Sequence, residues 1–200
     1  IRVLGRSTTG ESSTSVTPGF QGKEMNTVTF GNANGAKIYV PQGSAVSLEH
    51  INFSGGSSVI QGSFIYNQGN LTLSHCFVAG NHSNNNGGGL SNLGGTLTLN
   101  DSYVYNNTAS NDGSGIYNWS GLLTLNHTTL IGNITDHNGG GIYNLRGTVI
   151  LINASSINGN IAKTGNGGGM ESRNGTLTIT GNSEVADNVA LGDGGGIIVV

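Results

Sequence analysis

Apolar residues in this chain come in short bursts at intervals that fit no helix. Leu97-Thr98-Leu99, Leu123-Thr124-Leu125, Val149-Ile150-Leu151 and Leu177-Thr178-Ile179, with Val46-Ser47-Leu48 and Leu71-Thr72-Leu73 upstream, place apolar residues two apart. That spacing marks a half-buried strand, with the leucines in and the threonines out. About seven residues before the last four of these bursts stands an apolar residue that closes a glycine cluster: Gly87-Gly88-Gly89-Leu90, Gly113-Ser114-Gly115-Ile116, Gly139-Gly140-Gly141-Ile142 and Gly167-Gly168-Gly169-Met170, with Gly194-Gly195-Gly196-Ile197 beginning the same pattern again. A third burst ends in asparagine: Val78 to Asn81, Val104 to Asn107, Leu130 to Asn133, Ile157 to Asn160 and Val185 to Asn188. Each repeat therefore reads as three short strands and three turns.

The closing apolar residues, Leu90, Ile116, Ile142, Met170 and Ile197, are 26, 26, 28 and 27 residues apart. Such a period is too long for a hairpin, too short for a domain and typical of a solenoid. With no helical pattern present, one repeat makes one coil, and coils stack as parallel strands roughly 4.8 Å apart. The expected fold is an all-β, single-stranded parallel β-helix of about seven coils of 25–28 residues, a rod roughly 30–35 Å long at that strand spacing. A leucine-rich repeat would need a helical segment and a fixed leucine consensus, and a propeller blade would be less rich in Gly and Asn. Residues 37–200 form this one continuous domain. Residues 1–36 fit the repeat poorly: Ile1 to Leu4 and Thr27 to Phe30 are strand-like, and the Ser/Thr-rich stretch between them reads as an excursion or a cap.

Composition agrees. Gly is 36 of 200 residues and Asn 27, the types that accept positive φ in tight turns, while charged residues are 8%. Disordered low-complexity sequence would lack the registered Leu and Ile columns. The net charge of −3, with scattered Lys and Arg, leaves no basic stripe for nucleic acid. Apolar runs of four residues, such as Val149 to Ile152, fall far below a membrane span. A single cysteine, Cys76, beside Phe77 and Val78, is expected as a buried thiol and excludes an internal disulfide framework.

The Gly-Gly-small-Ile motif followed by an apolar-x-x-Asn segment resembles the paired repeat motifs of polymorphic outer-membrane proteins and of adhesin-like β-helix proteins on bacterial and archaeal cell surfaces. The match covers about Ile65 to Ile197. It departs from the bacterial pattern in carrying Gly for the usual third-position Ala and Val, Leu or Ile for the usual Phe. The resemblance implies a right-handed helix and an extracellular, non-catalytic role, and it names no ligand.

Stacked coils would bring equivalent residues together. Asn81, Asn107, Asn133, Asn160 and Asn188 are expected to form a structural ladder at one corner, and Asn67, Asn92, Asn118, Asn144 and Ser172 a second. Among ten Asn-x-Ser/Thr sequons, Asn100, Asn126 and Asn153 follow the second strand where a side chain could face solvent, so they are the candidate N-glycosylation sites; Asn81 and Asn133 lie in the presumed buried ladder. Tyr39, Tyr66, Tyr117 and Tyr143 occupy the outward position of the first strand, a face for sugars or for a neighbouring protein. His50, His75, Asp101 and His127 form a column near a turn, compatible with a metal site but equally with a turn that tolerates polar residues. Asp112, Asp136 and Asp193 give one carboxylate per turn, thin for calcium. The threonine rank Thr72, Thr98, Thr124 and Thr178 is broken by Ile150, which argues against an ice-binding face.

Pectate lyases and polygalacturonases share the fold, but their chemistry needs clustered carboxylates, and the ten acids here are spread along the coils. No cofactor motif is present. The expectation is therefore a non-enzymatic extracellular structural protein whose partners are copies of itself, with a glycan-binding adhesin as the alternative and a carbohydrate-active enzyme a distant third. Ile1 and Val3 at one end, and Ile197, Ile198, Val199 and Val200 at the other, are the strand-prone segments expected to pair head to tail.

Overall fold

The computed structural model describes residues 4–5, 29–30, 38–58 and 64–200. It is an all-β solenoid of about six turns, and among the described residues there is no helix. The coil holds four strands, one more than the sequence pattern suggests. In the coil from Leu90 the strands are Leu90–Leu93, Thr96–Asn100, Tyr103–Tyr105 and Thr108–Ala109. The last is two residues long, too short for a period-two pattern to register. Stacking the coils produces four parallel sheets, called A to D in coil order. Sheets B, C and D have six strands each and sheet A has nine.

Register is in phase through the stack. Leu97, Leu99 and Asn100 lie opposite Leu123, Leu125 and Asn126, and Val104 lies opposite Leu130. Each described coil sends a small set of apolar side chains inward, such as Ile116, Leu123, Leu125 and Leu130, all fully buried, and these sets merge into one core running from Ile38 to Met170. Most of residues 1–36 lie outside the described residues, including Ile1 and Val3. Leu4–Gly5 and Thr29–Phe30 are strands at the edge of sheet A, where Thr29–Phe30 pairs antiparallel with Ile38–Tyr39. Antiparallel pairing ends the stacking pattern at that edge.

Every corner of the coil carries a polar column, and the columns explain the asparagines. Between sheets C and D, Asn133 donates from Nδ2 to Val104 O (2.9 Å) and to Asn160 Oδ1 (2.9 Å), while its Oδ1 accepts from the N–H (3.1 Å) and Nδ2 (3.0 Å) of Asn107. Asn81, Asn107, Asn160 and Asn188 continue the same pattern, so the expected ladder is present. Between A and B, Asn67, Asn92, Asn118 and Asn144 link in the same way and end on Ser172 Oγ. Gly121 follows this second ladder because a Cβ there would collide with Asn92 Nδ2 and Asn118 Oδ1.

Two further columns were not anticipated. Between B and C, the N–H of Cys76, Ser102, Thr128 and Ser155 donates in turn to the hydroxyl of Ser102, Thr128, Ser155 and Ser183. Cys76 thus occupies a serine-like position, and its Sγ lies 3.2 Å from Ser74 O. In the loop from D to A, the N–H groups of Asp112, Asn138, Asn166 and Asp193 donate to the side-chain oxygens of Asn86, Asp112, Asn138 and Asn166. Buried polar groups are therefore satisfied by the equivalent residue one coil away.

Removing one rung should expose this dependence. Asn133→Ala strands Asn107 N–H, Asn107 Nδ2 and Val104 O in a dry interior and is expected to lower stability by about 3–5 kcal/mol, whereas the half-buried Asn100→Ala costs about 1 kcal/mol or less. Urea unfolding of the two variants beside the parent chain measures both.

Candidate functional site

The tyrosine column is not a surface. Tyr66, Tyr117 and Tyr143 are buried, Tyr143 with 6% of its area exposed, and only Tyr39 is partly open. They do point away from the central core, as the alternation requires, but the loop from sheet D to sheet A folds back across the outer face of sheet A. A Cβ on Gly139, whose φ is +64°, would lie 2.8 Å from Tyr143 Cα, and one on Gly113 would lie 3.0 Å from Tyr117 Cα. Glycine is needed where this strap crosses the strand. Tyr117 and Tyr143 stack beneath it at 5.7 Å with an interplanar angle of 5°, and with Tyr66 and Leu93 they make a second, smaller core. The error in expecting them outside lay in treating the coil as a single wall.

Two residues interrupt that small core. Ser91 and Glu171 occupy the tyrosine position in their coils and are fully buried; Glu171 bonds to Arg173 through Oε1, while Glu171 Oε2 and Ser91 Oγ have no hydrogen-bond partner.

The aromatic residues that do face solvent are on sheet C. Phe77 (43% exposed), Tyr103 (46%) and Ile131 (45%) project from the strands Phe77–Ala79, Tyr103–Tyr105 and Thr129–Ile131, with Tyr105 partly exposed among them. In-phase register sets Phe77 beside Tyr103 and Tyr105 beside Ile131. The Phe77 and Tyr103 rings are nearly parallel, 12° apart with centroids at 5.5 Å, and Tyr105 meets Phe77 at 88° and 6.5 Å. The signal for this platform was available in the flanks of Val78, Val104 and Leu130: if those point in, their neighbours point out.

At the corner before sheet C stand His50, His75, Asp101 and His127, all at positive φ between 48° and 56°, a conformation that Asn, Asp and His adopt more readily than most residues. The column divides into two pairs. The His50 and His75 rings stack at 4.9 Å, and His127 Nδ1 lies 2.7 Å from Asp101 Oδ1. Among the described residues no three His, Cys, Asp or Glu side chains gather to hold a metal ion. The calcium candidates are likewise dispersed: Asp112 Oδ1 accepts from Asn138 N and Nδ2, Asp136 pairs with Lys163, and Asp193 belongs to the Asp112 column through its backbone. The rank Thr72, Thr98, Thr124 and Thr178 is in register on sheet B with Ile150 breaking it.

Asn100, Asn126 and Asn153 form an outer ladder. Asn126 Nδ2 donates to Asn100 Oδ1 (2.9 Å) and Asn153 Nδ2 to Asn126 Oδ1 (2.8 Å), so their amide nitrogens are engaged. The sequon residues Asn52, Asn70, Asn106 and Asn174 are exposed instead. Ile197–Val199 pairs with Met170–Ser172 in sheet A, and Val199 and Val200 are exposed.

Compared with family models, curated proteins and solved structures, the chain matches none of them.

Burial pushes the Tyr143 phenol up to about 12, with Asp112 adding to the rise, and raises Tyr117 in the same way. A folded-state value above the ordinary 10 means that this stabilisation is complete below pH 10 and drains away as the pH climbs towards 12. Ultraviolet titration of the folded chain should show a late tyrosinate component, reduced by Tyr143→Phe, and the chain's stability should fall across the same window.

Proposed function

We propose that the chain is the β-helical shaft of an extracellular surface protein that acts by contact and catalyses no reaction. It stands closest in motif to polymorphic outer-membrane and adhesin-like repeat proteins. The observation that carries this reading is the exposed, uncharged aromatic platform on sheet C of a solenoid whose buried polar side chains are largely spent on coil-to-coil ladders. The carboxylates support it: Asp101, Asp136 and Glu171 each hold a His, Lys or Arg partner on the adjoining coil or strand, an arrangement that stabilises the stack and offers no pair of free acids for hydrolysis.

Self-association by coil stacking is the second reading. The coil formed by residues 176–200 leaves Val189, Leu191 and Val199 exposed, Leu191 at 79%, and a further coil laid on it would extend all four sheets. That coil can belong to the same polypeptide or to a second copy.

Two measurements test these readings. Protease treatment and antibody labelling of intact cells from the native source should reach the chain, and a purely intracellular location overturns the surface role. The purified 200-residue chain should sediment as growing oligomers with concentration, while a variant with Ile198→Lys and Val200→Lys stays folded and monomeric. Equal sedimentation of the two excludes coil stacking.

A further inference from the structure

Four exposed side chains on three successive coils are too few for a stable protein–protein contact, which draws on roughly 20–30 residues a side. Phe77, Tyr103, Tyr105 and Ile131 nevertheless form a continuous apolar surface, where scattered single residues would need no explanation. Its size is that of a small ligand, one or two rings long. The two flat side chains sit on neighbouring coils with centroids 5.5 Å apart, close to the width of a single sugar ring.

The surroundings decide the ligand's charge. From Asn52–Ser54 through Ser156–Asn158, the outward residues of sheet C are Asn, Ser, Thr, Ala or the platform residues themselves, with no Lys, Arg, Asp or Glu. A polyanion would find no cation on this face, and it would meet Asp101 at the neighbouring corner in a chain of net charge −3. The rim is instead made of neutral hydrogen-bonding groups. Asn52 lies in register beside Phe77 and Thr129 beside Tyr103. Asn106 is exposed, with its Oδ1 leaning over Gly132 next to Ile131; a Cβ at Gly132 would come within 2.7 Å of it. The His127–Asp101 pair stands one residue before Tyr103 and adds hydrogen-bonding groups at the corner.

A flat apolar centre with amides and hydroxyls around it is complementary to a pyranose ring, which presents C–H groups on a face and hydroxyls at its edge. We infer that the sheet C platform of Phe77, Tyr103, Tyr105 and Ile131 binds neutral glycans, with the sugar ring on the aromatic side chains and its hydroxyls on Asn52, Asn106 and Thr129. This rests on the contact role proposed above and names its ligand class. It also gives the His50 to His127 corner a place beside the binding surface in lieu of a metal.

The experiment is a retention assay of the intact 200-residue chain, made in a host without N-glycosylation, on insoluble cellulose, chitin, mannan and β-1,3-glucan, with polygalacturonate as the charged comparison. At least one neutral polymer should retain the chain and be recovered at its original length, and polygalacturonate should not retain it. Phe77→Ala with Tyr103→Ala should weaken retention at least tenfold, and Tyr103→Trp should preserve it. Because the double variant removes exterior packing, Thr129→Arg provides a second test: it leaves both rings in place, lays a charged side chain over them, and should weaken retention to the same extent at an unchanged melting temperature. Retention by none of the four neutral polymers, equal retention on polygalacturonate, or unaltered retention of the double variant or of Thr129→Arg overturns the inference. So does a parent dimer that the double variant converts to monomer, since the occupant is then a second copy. Cell-surface labelling is scored separately, so a surface chain that binds no neutral glycan refutes this inference alone, and a glycan-binding chain found only inside cells refutes the surface role alone.

Discussion

Coil-on-coil register is the constraint from which everything else in this molecule follows. A parallel stack at a single strand spacing puts each residue directly against its equivalent, so a polar side chain can be buried only if the next coil supplies a matching partner. Asn133 shows the condition met in full, with two bonds given and two received, all to backbone or to the asparagines above and below. The same condition selects glycine at Gly121, where the ladder passes too close for any side chain. Apolar burial sets the thickness of the rod, but the polar columns set its phase. A slip of one residue would turn Leu97, Leu99 and their equivalents outward and break the corner ladders at the same time.

Much of this was legible because repetition turns long-range contacts into local spacing. The steps between Leu90, Ile116, Ile142, Met170 and Ile197 imply the coil, and the columns of Asn81 and Asn67 follow once coils are stacked. What escaped was of two kinds. Two-residue strands such as Thr108–Ala109 carry no period of their own, and the column from Cys76 to Ser183 changes residue type at nearly every rung, so neither offers a repeated letter to read. The burial of Tyr117 and Tyr143 escaped for a different reason. It depends on a loop crossing back over a strand, and the direction of that return is fixed by the positive φ of Gly113 and Gly139, not by any hydrophobic pattern.

The two aromatic sets divide the labour of the exterior. Tyr66, Tyr117 and Tyr143, though strand-outward, spend their area on holding the strap to sheet A. Phe77, Tyr103 and Tyr105 lie on sheet C, where the adjoining connections are short corners with no loop to cover them, and they stay open. Sequence alternation alone makes these sets equivalent. Connection length separates them, which is why the candidate site moved from the first strand of the coil to the third.

Hydrogen bonds that run from coil to coil have a mechanical meaning. Backbone and ladder bonds alike lie along the axis of the rod, so tension applied between its ends would load them one layer at a time, in a peeling geometry that leaves the rest of the stack intact. Each coil that came away would pay out roughly 26 residues of chain, on the order of 85–90 Å when extended, in exchange for one strand spacing of about 4.8 Å. The asparagine columns would act as identical catches along the length. A shaft built this way yields in equal increments under load and winds back when the load is removed, an extensible tether made from a structure that is stiff at rest.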